Sequence, residues 1–146
     1  MQTKLVVDAN ELFAAIITKG RDMQNWALDI LFSDKVKFFA PFKLLAELEK
    51  NRELIKSKSG FSERDFDAFV EIIKMRVEFV PLEMFLDKIS EAKKLSPHLK
   101  DVEYFALALK FNCSVWSEEK AFREQTKIKA FDSKELAEKL GLLNSS

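Results

Sequence analysis

Lys4-Leu5-Val6-Val7-Asp8-Ala9-Asn10 decides how the rest of the chain is read. Leu5, Val6 and Val7 form an unbroken apolar run, the pattern of a strand covered on both faces. Asp8 ends the run, and Asn10 opens an amphipathic segment, Glu11-Leu12-Phe13-Ala14-Ala15-Ile16-Ile17. A carboxylate at the carboxyl end of a buried parallel strand stands at the lip of the sheet, where open α/β sheets hold their ligands. The same Asp8 would serve as a cap for the following helix. This stretch alone leaves both roles open.

Outward from it, β-prone runs alternate with helical patterns. The strands are expected at Lys4–Asp8, Val36–Ala40, Val77–Val80, Cys113–Ser117 and Ile128–Phe131. That alternation predicts an α/β protein, a three-layer α/β/α sandwich with a mostly parallel sheet of about five strands, in one domain over residues 1–146. The first helix is expected from Asn10 to Lys19 with Gly20 as its stop, and Asp22 as the cap of a second helix carrying Met23, Trp26 and Ile30. Trp26 reads as core rather than as a stacking platform. Pro41 closes the second strand and suits the first turn of a helix with Phe42, Leu44, Leu45 and Leu48. Lys56-Ser57-Lys58-Ser59-Gly60 is the most linker-like segment, and Ser62-Glu63-Arg64-Asp65 has the form of a capping box. A further helix is expected from Leu82 to about Lys94, and a small-residue helix, Val102 to Phe111, close against the sheet. Asp132-Ser133-Lys134-Glu135 caps a terminal helix ending at Gly141.

The totals narrow the function classes. A chain of 146 residues with 47% apolar content and 14 Phe has enough to bury a core. Lys+Arg and Asp+Glu are both 24, so net charge selects no partner, although a basic rim can surround an acidic centre. One Cys, Cys113, excludes an internal disulfide and a Cys-based zinc cluster and suits a cytoplasmic location. One His, His98, makes a serine–histidine or zinc–histidine site a poor fit. No run is long and apolar enough to span a membrane.

Acids recur at one edge of the expected sheet. Asp8 follows the first strand, Glu47 falls early in a helix, Asp101 begins a helix, and Glu118 and Glu119 follow the fourth strand. Glu49 competes with Glu47 but precedes a run of charges and reads as solvated. Each acid has an ordinary explanation as a cap or a surface residue; their joint occurrence carries the argument. Clustered carboxylates repel one another and need a cation or protons between them. Oxygen ligands without His or Cys select Mg²⁺ or Mn²⁺. Such an ion keeps waters, which suits holding a phosphate oxygen and activating a water for in-line attack.

Val6-Val7-Asp8-Ala9-Asn10, Leu45-Ala46-Glu47-Leu48-Glu49-Lys50, and Asp101-Val102-Glu103-Tyr104-Phe105-Ala106-Leu107-Ala108-Leu109 followed by Val115-Trp116-Ser117-Glu118-Glu119-Lys120 together resemble PIN-domain proteins. The resemblance covers nearly the whole chain. It implies an α/β/α sandwich, metal-dependent ribonuclease activity and, as in many members, the toxin of a VapC-type toxin–antitoxin pair with an antitoxin partner. It implies Asp8, Glu47 and Asp101 as metal-binding acids. The family usually has Asp just before the Lys, where this chain has Glu119; Glu118 is the alternative fourth ligand. Asn10 matches a polar residue found two positions after the first Asp. Ser117 is expected to hydrogen-bond a ligating carboxylate or to end the strand.

Lys50, Arg52, Lys100, Lys120 and Arg123 lie near these acids in sequence and are candidates to hold an RNA backbone. The resemblance and the Phe-rich composition also point to a homodimer. A phosphatase using Asp8 as an aspartyl-phosphate nucleophile would want a second acid where Asn10 stands. A receiver domain would want a paired acid before the phosphorylated strand, and both fit worse. The non-enzymatic alternative is a degenerate PIN fold that binds RNA or protein without cleavage, for which Glu119 is the main support.

Overall fold

The computed structural model describes residues 2–17, 26–96 and 98–142. The expected helix stop at Gly20 and the cap at Asp22 with Met23 lie outside them. Among the described residues the strands are β1 (Thr3–Val7), β2 (Val36–Pro41), β3 (Val77–Val80), β4 (Ser114–Trp116) and β5 (Ala130–Phe131). The helices are α1 (Ala9–Ile17), α2 (Trp26–Leu31), α3 (Lys43–Lys50), α4 (Arg52–Ser59), α5 (Glu63–Arg76), α6 (Ile89–Leu95), α7 (Val102–Phe111), α8 (Lys120–Arg123) and α9 (Ser133–Lys139).

The strands form one sheet in the order β3-β2-β1-β4-β5, and every pairing is parallel. Helices flank it, as the alternation of patterns requires. Leu5, Val6 and Val7 of β1 have no exposed surface, which explains why that strand reads as an unbroken apolar run. Ala106, Leu107 and Ala108 of α7 are buried too, and α7 packs on β1 and β2. Small side chains there let helix and sheet approach closely.

The chain leaves β1 toward β2 on one side and reaches β4 on the other. The carboxyl ends of β1 and β4 therefore form a topological switch point, the crevice where open α/β sheets take ligands. Register sets its detail. Val7 stands opposite Trp116, and the Asp8 N–H donates to the Trp116 carbonyl at 3.2 Å, which brings Asp8 alongside Ser117.

Several local expectations need correction. Pro41 completes β2 rather than opening a helix. The helix after it breaks at Asn51, whose backbone (φ −100°, ψ 12°) leaves the helical region and separates α3 from α4. The linker-like Lys56–Gly60 segment is helical to Ser59, where Gly60, at φ 78°, supplies the left-handed stop. Leu82 to Lys94 is not one helix. Two short 3₁₀ turns, Leu82–Met84 and Leu86–Lys88, meet at fully buried Phe85, whose φ of −127° breaks the helix before α6 begins. Both expected capping boxes are present, at Ser62 with Asp65 and at Asp132 with Glu135.

Candidate active site

Asp8, Glu47, Asp101 and Glu119 line one cleft of about 580 Å³ at the carboxyl edge of the sheet. β1 delivers Asp8, the middle of α3 brings Glu47, the turn before α7 brings Asp101, and the loop after β4 brings Glu119. Asn10, Lys43, Lys50, Lys100 and Tyr104 share the cleft, with Phe13, Asn51 and Leu54 along its wall.

Asp8 is 4% exposed. The buried Ser117 hydroxyl donates to Asp8 Oδ2 at 2.8 Å, whereas the helix-capping bond from the Asn10 N–H to Oδ1 is long, at 3.4 Å. Burial raises the Asp8 carboxyl from its ordinary 3.8 to about 6; the Ser117 bond opposes the rise, and the charges of Glu119 and Glu47 add to it. Asp101 is as deeply buried, and its Oδ2 has no hydrogen-bond partner among the described residues. Its carboxyl is raised by burial first, then by the charges of Glu119 and Asp8, against the pull of Lys100. Asp101 begins its helix without capping it through the side chain.

Glu119 Oε1 accepts from the Asn10 side-chain amide at 2.8 Å and from Lys100 Nζ at 3.1 Å. The Glu119 N–H donates to Ser117 Oγ at 3.1 Å, so Ser117 ties together the two loops that carry Asp8 and Glu119. Glu47 Oε1 accepts from the Tyr104 hydroxyl at 3.2 Å and lies 3.6 Å from Lys43 Nζ. Burial raises the Glu47 carboxyl, with Lys43 the main opposing influence. Lys43 Nζ also donates to the Lys100 carbonyl at 2.6 Å, joining α3 to the turn that carries Asp101.

Among the described residues no three acids already stand together as a ready-made metal cage. The donor set nevertheless fits a hard divalent cation. All the candidate donor atoms are carboxylate oxygens, burial with the neighbouring acids' charge added to it raises Asp8 and Asp101, and one buried Asp101 oxygen lacks a partner among the described residues. Mg²⁺ commonly takes one or two carboxylates and completes its shell with water.

The other residues singled out in the sequence divide clearly. Glu118 is not brought into the cleft. Its Oε2 accepts from the Ser133 N–H at 3.0 Å, and its own N–H donates to Glu11 Oε1 at 2.7 Å. Register alternation turns it to the other side of the loop from Glu119. Lys50 and Lys100 line the cleft. Lys120 lines a neighbouring groove. Arg52 is instead engaged by Glu49, Glu63 and Asp67, and Arg123 by Asp132 and Glu135. Glu49 is solvated, as expected. Lys43 and Tyr104 were not anticipated. Their signal was helical spacing: Lys43 is one turn before Glu47, and Tyr104 follows Asp101 by three positions.

A family model for the PIN domain matches residues 6–136. The chain belongs to the PIN-domain family. Its PIN fold is also similar to a solved chain from the Rickettsia felis VapBC2 complex, crystallised bound to a DNA fragment from their promoter. That likeness has a TM-score of 0.61 at 15% identity, covering 89% of this chain and 98% of the other. Among curated proteins, none matches this PIN-domain chain in sequence. Among the described residues, no helix is long and apolar enough to cross a membrane.

Proposed function

We propose that this PIN domain is an endoribonuclease that cleaves single-stranded RNA with Mg²⁺ or Mn²⁺ held by Asp8, Asp101 and Glu119, with Glu47 beside them. The observation that carries this reading is the buried Asp101 Oδ2, without a hydrogen-bond partner among the described residues, on a residue that lines one cleft with Asp8, Glu47 and Glu119. A bound divalent cation supplies charge neutralisation and lowers the pKa of its water toward the range of a usable nucleophile. The chain's own residues do the positioning. Ser117 orients Asp8, Asn10 orients Glu119, and Tyr104 with Lys43 orients Glu47. Lys50 and Lys100, both exposed at the cleft, hold the phosphodiester. The solved VapBC2 structure extends the proposal to an antitoxin partner, the family resemblance with the Phe-rich composition extends it to a homodimer, and the single Cys113 suits a cytoplasmic setting.

A degenerate, binding-only PIN domain is the second reading. It is favoured by Glu119, whose Oε1 already accepts two hydrogen bonds and whose side chain is a methylene longer than the usual Asp. Cleavage of labelled single-stranded RNA, with Mg²⁺, Mn²⁺ or chelator, separates the two. The nuclease reading requires metal-dependent cutting, with Glu119→Asp raising activity or metal affinity. Metal and RNA binding with no cutting by either protein supports the binding module.

A further inference from the structure

Two grooves meet at one ion pair. Among the described residues, the acid cleft and a second groove of about 460 Å³ share only Lys100 and Glu119, whose side chains are joined at 3.1 Å. The second groove is otherwise lined by His98, Lys120, Ala121 and Glu124. The ion pair is therefore a low partition between the grooves.

The cations around it are not equivalent. Lys50, in the acid cleft, and Lys120, in the second groove, are exposed and have no ion pair among the described residues. Lys100 stands between them, and among the described residues its exposed side chain is tied only to Glu119. Arg52 and Arg123, by contrast, are each held by two or more carboxylates. Two cations left for an outside anion, Lys50 and Lys120, thus flank the partition, with Lys100 between them on the ion pair itself. A duplex would meet this as an uneven surface; a single strand can follow a bent track, because its backbone is flexible.

We infer that a single-stranded RNA crosses the Lys100–Glu119 partition, with Lys120 holding a phosphate in the second groove beyond the one over the acid cleft. This rests on the RNA reading of the site and adds a second subsite to it. A cation held by Glu119 would compete with Lys100 for that carboxylate and leave the Lys100 ammonium available to the phosphate between the two grooves. Glu124 faces the same groove and opposes the strand there.

The test is fluorescence anisotropy of labelled oligouridylates, a dinucleotide and a hexanucleotide, in Ca²⁺ across a salt series. The proteins are the full chain, Lys120→Gln, Glu124→Gln, and Lys58→Gln as a charge control on α4. The expected result is that Lys120→Gln weakens hexanucleotide binding several-fold, lowers the salt slope by about 0.7, and leaves the dinucleotide unchanged. Glu124→Gln should tighten the hexanucleotide. Equal losses for Lys120→Gln and Lys58→Gln, or a loss shared by the dinucleotide, would overturn the second subsite while leaving the RNA reading standing. Failure of the unsubstituted protein to bind either oligonucleotide would overturn the RNA reading, and the second subsite with it. Thermal melts confirm that each variant is folded; Lys120 is exposed and unpaired, so its loss should not move the midpoint.

Discussion

Asp101 and Glu11 are both buried acids near the carboxyl ends of β1 and β4, 3% and 1% exposed, and burial is the largest cause of a raised carboxyl in each. They differ in what their oxygens meet. Glu11 Oε1 accepts from the Glu118 N–H at 2.7 Å and Oε2 from the Ser133 hydroxyl at 3.1 Å, so both oxygens are satisfied inside the protein. The Ser133 hydroxyl also accepts from Trp116 Nε1 at 3.0 Å, locking Glu11, α9 and β4 into one polar joint. Asp101 Oδ2 has no such partner among the described residues, and Asp101 lines a cleft that Lys43, Lys50 and Lys100 line too. A raised pKa therefore does not distinguish a site from a strut. An unpaired lone pair beside an opening does.

The largest expected effect follows from that contrast. Asp101→Asn and Asp8→Asn should each lower RNA cleavage by at least about 100-fold, measured as kcat/KM at saturating Mg²⁺, because each removes a ligand charge. Neither should destabilise the metal-free fold, since each also relieves repulsion among the remaining acids. Glu11→Gln should do the reverse, leaving cleavage within a few-fold but shifting the melting midpoint. A large loss of cleavage in Glu11→Gln with unchanged stability would erase the distinction.

Ser117→Ala sharpens the comparison from the side of positioning. It removes the hydroxyl that donates to Asp8 and accepts from the Glu119 N–H. Cleavage should fall about 10- to 100-fold with weaker metal binding, the range for groups that orient ligands. An effect on stability alone would assign Ser117 to strand termination.

The pH dependence tests the electrostatics of both regions. The folded-state carboxyl of Asp8 lies near 6, above its ordinary 3.8, so folding favours its protonated form. That stabilisation is complete below about 4 and is lost as pH rises toward about 6. Asp101 and Glu11 are raised as well and continue the loss upward. The metal-free melting midpoint should therefore fall as pH rises through this window. Mg²⁺ should restore the part due to Asp8 and Asp101 but not the part due to Glu11. Parallel recovery of both parts would place a cation at Glu11.

The smallest effect belongs to Arg52. Its guanidinium is bound to exposed carboxylates, and Arg52→Ala should move the melting midpoint only slightly through those ion pairs and leave RNA affinity nearly unchanged. A marked loss of affinity would return Arg52 to the binding surface.

These contrasts also show which parts of the molecule the sequence made legible. The strands could be read because β1 is buried on both faces, so its apolar run is continuous, and because capping boxes at Ser62 and Asp132 are local features. Asp8, Asp101 and Glu119 could be placed at one edge because each sits near a strand end or a helix start, and Glu47 because its short helix follows directly on β2. The fate of Glu118 against Glu119 could not be read, since neighbouring residues in a loop face opposite ways only once register is set. Nor could the loss of Arg52 and Arg123 to Glu63, Asp67, Asp132 and Glu135, because charges on separate elements pair only in the folded chain. The break at Phe85 was hidden for the same reason: a buried aromatic overrode an otherwise helical pattern.

The most direct measurement is a Mn²⁺ titration of the full chain and of Asp101→Asn, followed by calorimetry and by thermal melting in the same samples. The account predicts a saturable Mn²⁺ site that raises the melting midpoint of the parent, by about 2.7 kcal/mol of stability at a hundred times Kd. Binding should be weakened at least about tenfold in Asp101→Asn, with chelation abolishing RNA cleavage. Equal Mn²⁺ affinity in both proteins, or RNA cleavage that persists in chelator, would contradict it.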